Sequence, residues 1–395
     1  MKKYKIGVNG RYFTQPFVGM GRYSLSIFEE MARSFPEFQF EIAITEALDH
    51  DIDKNFRYLD NLRFEIIAEK PLLKRIHKGL AKSYWEKIQL KRFFLGKKVQ
   101  LIHIPYPALY KSLDNVPVVV TAHDSIMWTD SEYLSRGWLS SIYNQETLKA
   151  TQKADLILTV SERSKVELSQ IKGFLVDKIR VVYNASEFSD KPKFEENQEK
   201  EILKRLGING KYLFYMGGYD KRKNVERLVE IFTKEIGPMT DCKLVLGGGK
   251  ALKNKLFQLR KWSNEELQFL VETGFVSNQE LLILYRNALG YFSISRREGF
   301  NLPLLEALSL ATPAFVSDLA VHREVAGDLP FYLDLEKTNR ELGQQIVNLL
   351  NSKSQYNELK AKTLAGAEKL TKKFSWHQSA LQIGEIYKQL LENAN

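Results

Sequence analysis

The chain has 395 residues, enough for two ordinary domains, and its 44% apolar and 27% charged content is that of a globular protein rather than a fibrous or disordered one. A single cysteine, Cys242, excludes a disulfide framework within the chain and points to a reducing, cytoplasmic setting. No apolar run is long enough to cross a bilayer, the lysines of MKKYKIGVNGR are followed by no signal-like apolar stretch, and no Cys/His cluster has metal-ligand spacing.

In chain order, YKIGVNG (Tyr4 to Gly10) reads as a short strand, and Gly19 and Gly21 stand just before an amphipathic helix, SLSIFEEMARSF. EFQFEIAIT is a second strand. The DID of Asp51 to Asp53 falls in a polar connecting segment, where a turn is a commoner use than a metal site. Residues 70–98 hold ten cations and one carboxylate, Glu86, for a net +9, with Leu73, Ile76, Leu80, Tyr84 and Ile88 at helical spacing. Three readings stay open for that segment: a core-packed helix with a solvated basic face, a helix lying on an anionic membrane, and a nucleic-acid contact, the last without any supporting motif. VQLIHIPYP, VPVVVTAHDS and ADLILTVSERSK then alternate short strands with helical segments, which implies a parallel sheet with crossovers. Ser161 is placed to cap the helix that follows.

Near residue 187 the texture becomes charged and poor in large aliphatics, as in a linker. The second half repeats the grammar of the first: YLFYMGGYDKRKNVERLVEIF is a strand, a glycine pair, cations and a helix. Ser277 with Glu280, and Ser375 with Gln378, have capping-box spacing. In RREGFNLPLLEALSL, Arg296 to Leu310, a loop follows the strand LGYFSIS. Asn301 suits an N-cap and Pro303 the first helical turn, so Glu298 lies in the loop and Glu306 on the new helix. Both carboxylates can face the carboxyl edge of a parallel sheet, where open α/β sheets bind ligands.

Gly217 and Gly218 let backbone approach a phosphate, and Arg222 and Lys223 add full positive charge there. Cations at a helix start oppose the helix dipole, which favours a ligand-binding use. Such a group can hold a diphosphate and stabilise the charge that develops as it leaves.

The ordered set EGFNLPLLEAL, YMGGYDKRKNVERLVEIF, GFVSNQELLILYRNA, ATPAFVSDLAVHREVAG and FSWHQSALQIGEIY, with GMGRYSLSIFEEM, VVVTAHDS and LTVSERSK earlier, resembles the retaining glycosyltransferases of family 4 along nearly the whole chain. The resemblance implies an α/β fold of two Rossmann-like domains facing across a cleft (GT-B): an acceptor-side domain over 1–188, a linker over 189–200, a nucleotide-sugar domain over 201–373, and a C-terminal helix, 374–395, returning to the first domain. It implies a hexosyltransferase that uses a nucleotide diphosphate sugar, needs no cofactor or metal, and works in the cytoplasm on a glycan or lipid-linked acceptor; contact of residues 70–98 with an anionic membrane face stays one of the three open readings of that segment. No nucleic-acid partner is implied.

By the same resemblance, His123, Arg222, Lys223 and Glu298 are the catalytic group. Glu298 meets the donor sugar, Arg222 and Lys223 the phosphates, Glu306 the ribose, and His123 the transferred sugar. Gly19, Gly21, Gly217, Gly218, Val276, Asn301 and Leu302 line the donor. His103 and His322 are expected to be structural. Three positions depart from the family pattern: Asn301 and Ala311 stand where glycine is common, and Gly218 where an arginine is common. Other two-Rossmann enzymes, such as an epimerase or a phosphorylase, and an inactive sugar-binding module are the rival readings.

Overall fold

A computed structural model describes residues 3–16, 18–56, 58–131, 137–188, 194–248 and 262–394. The chain divides into two compact units, Met1–Asn184 with Ser375–Asn395, and Ala185–Phe374.

The first unit is built on seven parallel strands: β1 (Tyr4–Asn9), β2 (Phe38–Ile44), β3 (Leu62–Ile66), β4 (Leu101–Ile104), β5 (Val118–Thr121), β6 (Leu156–Thr159) and β7 (Ile179–Val181), in the order β3-β2-β1-β4-β5-β6-β7. Strands β4 and β5 are buried throughout, as their unbroken apolar sequences require when helices cover both faces of a sheet. The chain winds outward from β1 through β2 to β3, then returns to start the other direction at β4. This reversal opens a crevice at the carboxyl ends of β1 and β4, the place where doubly wound sheets take ligands.

The second unit repeats the plan with β8 (Lys211–Met216), β9 (Cys242–Gly247), β10 (Leu270–Gly274), β11 (Gly290–Ser293), β12 (Ala314–Ser317) and β13 (Phe331–Leu333), in the order β10-β9-β8-β11-β12-β13. Its reversal lies between β8 and β11. Two Rossmann-like domains are therefore present, as the sequence implied. Strands β3, β7 and β13 were not anticipated, being short pieces at or near sheet edges with little apolar signal.

The last helix, Trp376–Asn393, belongs to the first unit, where Ala380, Ile383, Tyr387 and Leu391 are buried with Met31, Phe35 and Phe38. Gly384 permits this approach, since a Cβ there would stand 2.0 Å from the Phe35 ring. The Tyr387 hydroxyl bonds Nδ1 of the fully buried His103, whose Nε2 bonds the Thr121 hydroxyl at 2.8 Å. His103 is thus a structural stitch, and burial holds its pKa down at about 3.

Several local expectations need correction. The linker of 189–200 is helical from Glu196, in the helix Glu196–Arg205, because acidic residues in its first turn and Lys204 and Arg205 in its last complement the helix dipole. Its residues 189–193 lie outside the described residues. Ser161 and Ser277 cap their helices through their hydroxyls, and the Ser277–Glu280 box is complete, but Ser375 makes no side-chain cap bond. Asp51 and Asp53 lie in a helical turn, His50–Phe56, rather than a loop, and their side chains lie outside the description.

The basic segment is not one amphipathic helix. Pro71–Ile76 ends at His77, which is extended (φ −163°), and a second helix, Lys78–Tyr84, runs through a π turn, Trp85–Gln89, into Leu90–Lys97. Ala81 and Trp85 are buried, and the π turn, by adding a residue, sets the buried face beyond it at Leu90, Phe93 and Phe94. Leu72, Ile76 and Leu80 are left 70%, 66% and 44% exposed.

Candidate active site

The β8–β11 reversal brings two loops together in the second unit. After β8 comes the Gly217–Gly218 turn, tied by the Tyr215 hydroxyl donating to the Gly218 carbonyl at 2.6 Å. A 3-10 turn follows, Lys221–Lys223, and Asn224 then enters the left-handed region (φ 57°) to start the helix Val225–Ile231. Asparagine tolerates that conformation better than most residues. After β11 the chain runs through Ser295 to Glu298. The Arg296 N–H donates to the Arg222 carbonyl at 2.7 Å, clipping the loops together.

Three of the sequence-predicted residues meet here. One Glu298 oxygen accepts from Lys223 Nζ at 2.6 Å and from the Ser295 hydroxyl at 2.7 Å; the other accepts from an Arg222 guanidinium nitrogen at 2.8 Å. The three side chains are 4%, 13% and 18% exposed for Glu298, Lys223 and Arg222. Burial pushes the Glu298 carboxyl up, but Lys223, Arg222 and the Ser295 bond outweigh it and hold the group down at about 2. Two cations on one carboxylate leave one unit of positive charge at the carboxyl edge of the sheet, in partly desolvated surroundings. Such an arrangement attracts an anion and can stabilise negative charge that grows on it. Ser295 and Tyr215 were missed by the sequence reading, because a serine and a tyrosine near a strand end carry no distinctive signal.

Asn301 caps the helix Leu302–Ser309 from the left-handed region (φ 71°), its side-chain oxygen accepting from the Leu304 N–H. Its amide donates to Nε2 of His322 at 2.9 Å, and His322 Nδ1 donates to the Ser317 carbonyl at 2.7 Å. The carbonyl fixes the proton on Nδ1, so Nε2 is left to accept, and burial lowers the imidazole pKa and keeps it neutral. His322 is therefore structural, as expected, in the particular sense that it orients Asn301. Ala311 is also left-handed, at φ 60°. Both departures from glycine thus sit where glycine would relieve backbone strain.

The remaining predicted residues are placed as follows. Glu306 is 1% exposed and accepts from the Tyr285 hydroxyl at 3.0 Å. Val276 is buried just before the Ser277 cap. Leu302 is half-buried at the first position of its helix. Gly217 adjoins the Gly248 turn after β9, where a Cβ at Gly248 would meet the Gly217 carbonyl oxygen at 2.8 Å.

His123, Gly19 and Gly21 belong to the first unit. His123 Nε2 donates to the Pro105 carbonyl at 3.0 Å, which leaves Nδ1 as an acceptor, and its ring meets Tyr23 edge-on. Burial lowers its pKa to about 4, so it is neutral near pH 7. A Cβ on Gly19 would meet nothing within 4 Å, whereas one on Gly21 would lie 1.9 Å from the Gln15 carbonyl oxygen. Gly21 is thus explained by helix-to-loop packing, and Gly19 alone opens onto free space.

Residues 198–387 match the family described as glycosyl transferases group 1, and residues 19–187 match glycosyltransferase family 4. The chain is 26% identical to the O-antigen chain mannosyltransferase B of Escherichia coli, over 95% of this chain and 97% of that one. It is also 26% identical to the O-antigen chain mannosyltransferase RfbU of Salmonella typhimurium, over 71% and 73%. Its fold resembles Anabaena HepE in complex with UDP and glucose, with a TM-score of 0.69 at 14% identity, covering 98% of this chain and 100% of that one. It likewise resembles the sucrose-phosphate synthase of Thermosynechococcus elongatus, with a TM-score of 0.73 at 16% identity over 99% and 100%. With one family matching each half and the buried Arg222–Lys223–Glu298 group at the reversal of the second sheet, the chain belongs to the GT4-like glycosyltransferases of GT-B architecture.

Proposed function

We propose that the chain moves a hexosyl unit from a nucleoside diphosphate sugar to a hydroxyl of a surface-polysaccharide or lipid-linked glycan, with retention at the anomeric carbon and without a metal. The observation that carries this reading is the pair of cations, Arg222 and Lys223, held on Glu298 at the carboxyl end of the second sheet. The arriving diphosphate takes up the hydrogen-bonding capacity of the two cations, and Glu298 is then able to accept from donor-sugar hydroxyls. As the glycosidic bond breaks, charge grows on the leaving phosphate beside Arg222 and Lys223, which do the electrostatic work a metal would otherwise do. Glu306 is assigned to the ribose, and the Nδ1 acceptor of His123 to the transferred sugar. Retention rests on family membership: the leaving diphosphate assists the attacking hydroxyl on the same face. The mannosyltransferase relatives make mannose the first sugar to test and O-antigen-like glycans the first acceptors.

Melting the protein in EDTA with GDP-mannose, UDP-glucose and other sugar nucleotides tests the donor. One of them is expected to raise the Tm by several degrees, since a ligand that binds only the folded state stabilises it. No shift with any sugar nucleotide, or a shift and turnover abolished by EDTA, would overturn the metal-free donor site.

We further assign residues 70–80 to an anionic membrane face. Leu72, Ile76 and Leu80 are exposed beside Lys70, Lys74, Arg75 and Lys78, a combination suited to shallow insertion with headgroup contacts. Each basic residue near such a surface contributes roughly 1 kcal/mol. Reversal of Lys74, Arg75 and Lys78 to Glu is therefore expected to abolish sedimentation with phosphatidylglycerol vesicles and to leave the donor-induced Tm shift intact. Equal sedimentation of both proteins would dispose of the assignment.

A further inference from the structure

The loop between β11 and the helix Leu302–Ser309 is fixed at two points. Glu298 is one, held by Lys223, Arg222 and Ser295. Asn301 is the other, and it ends the loop in the left-handed region. Glycine takes that conformation freely, whereas a residue with a side chain keeps it only where its surroundings over-determine it. Both polar atoms of the Asn301 side chain are engaged within the protein. The oxygen accepts from the Tyr291 hydroxyl at 3.3 Å and from the Leu304 N–H at 3.4 Å, and the amide donates to His322 Nε2, its one acceptor among the described residues. The side chain is thus not free to reach a ligand. What Asn301 offers a donor is the placement of its own backbone and of Leu302.

His322 is anchored in its turn. The Ser317 carbonyl takes its Nδ1 proton, the Ser317 hydroxyl donates to the Ser295 carbonyl at 2.6 Å, and the Ser295 hydroxyl donates to Glu298. A chain of buried polar contacts therefore runs Asn301–His322–Ser317–Ser295–Glu298, from one fixed point of the loop to the other. Loss of His322 would act at one end of it only. The Ser317 carbonyl also accepts from the Leu319 N–H at 2.9 Å and stays satisfied. The Asn301 amide would be buried without an acceptor, which favours rotation of the side chain out of its cap and movement of the backbone with it.

We propose that His322 is a positioning residue for the nucleoside diphosphate sugar: through the Asn301 amide it holds the backbone from Glu298 to Leu302 in the conformation that takes the donor. The proposal rests on the donor reading above and deepens it by naming a residue that acts on the donor only through another. It accounts for a buried imidazole on the helix Ala320–Ala326, whose other buried residues, Val321, Val325 and Ala326, are aliphatic. It also makes the two positions interdependent. His322 is required because residue 301 has an amide to satisfy, and with glycine at 301 the requirement disappears.

The test is calorimetric titration of the full chain with GDP-mannose, UDP-glucose and the other sugar nucleotides of the melting screen, arranged as a double-mutant cycle. His322→Leu is expected to weaken donor binding by about tenfold, the effect of stranding one buried donor group. In the Asn301→Gly background, whatever affinity that variant has, the same change should cost less than about twofold. His322→Gln, whose Oε1 can replace Nε2 as the acceptor, should recover most of the lost affinity. If His322→Leu does not fold, His322→Asn serves in its place, because its shorter amide can meet the Ser317 carbonyl but not Asn301. Undiminished affinity in a folded His322→Leu or His322→Asn, with only the Tm lowered, would show a merely structural histidine and overturn the proposal. An equal loss in both backgrounds would overturn it too, since His322 would then act without Asn301. Either result leaves the donor site standing, whereas a wild type that binds no sugar nucleotide removes the donor reading and this proposal with it.

Discussion

Lys223→Ala is expected to lower kcat by about 10²- to 10³-fold, the range found when one preorganised donor to a developing oxyanion is removed. The effect should fall on kcat more than on KM, because the charge it stabilises is greatest in the transition state. Two features make the loss large. Lys223 is nearly buried, so water cannot replace it well, and it shares Glu298 with Arg222, so its removal also loosens the carboxylate. Lys223→Arg should recover only part of the rate, since a planar fork cannot occupy the place of a compact ammonium 2.6 Å from Glu298. Steady-state kinetics with the donor identified by thermal shift decide the matter. A variant with unchanged kcat would show that the diphosphate leaves without help from this cation.

The second large effect is on stability against pH. Glu298 is held at about 2, below its ordinary value. A carboxyl depressed in the folded state contributes stability that is fully present above about pH 4.3 and is lost as pH falls toward its folded value. The shift corresponds to roughly 3 kcal/mol, as an order of magnitude. Urea unfolding of wild type and Glu298→Gln should therefore show a gap that is constant from pH 7 to about pH 5 and narrows below about pH 4. A gap as wide at pH 3 as at pH 7 would mean that the carboxylate is not the anchor of the two cations.

The fold was legible wherever an apolar strand met a glycine turn and a helix. β1, β8 and β11 were read correctly for that reason, and so was the Asn301 cap, because Asn and Pro in sequence before an apolar run leave few alternatives. The grouping of Arg222, Lys223 and Glu298 was legible only through the resemblance, since the cations and the carboxylate are about 75 positions apart in the chain and no spacing rule links them. The helix Glu196–Arg205 was hidden by its own charge: the residues that make its ends favourable to the dipole are those that made it look like a linker. In residues 70–98 one periodic count ran across two interruptions: extended His77 ends the first helix and leaves Ile76 and Leu80 exposed, and beyond Tyr84 a π turn shifts the buried face by about one residue.

The placement of the last helix bears on how the polypeptide is made. Trp376–Asn393 supplies Ala380, Ile383, Tyr387 and Leu391 to the core of the N-terminal unit and closes the hydrogen bond to His103. On the ribosome, the domain that begins first is thus the one that finishes last. The middle domain, Ala185–Phe374, has all its strands before that helix emerges and is able to fold ahead of it, while the N-terminal sheet waits with Phe35 and Phe38 uncovered. A stop codon near residue 375 would spare the middle domain and strand the first one half-built.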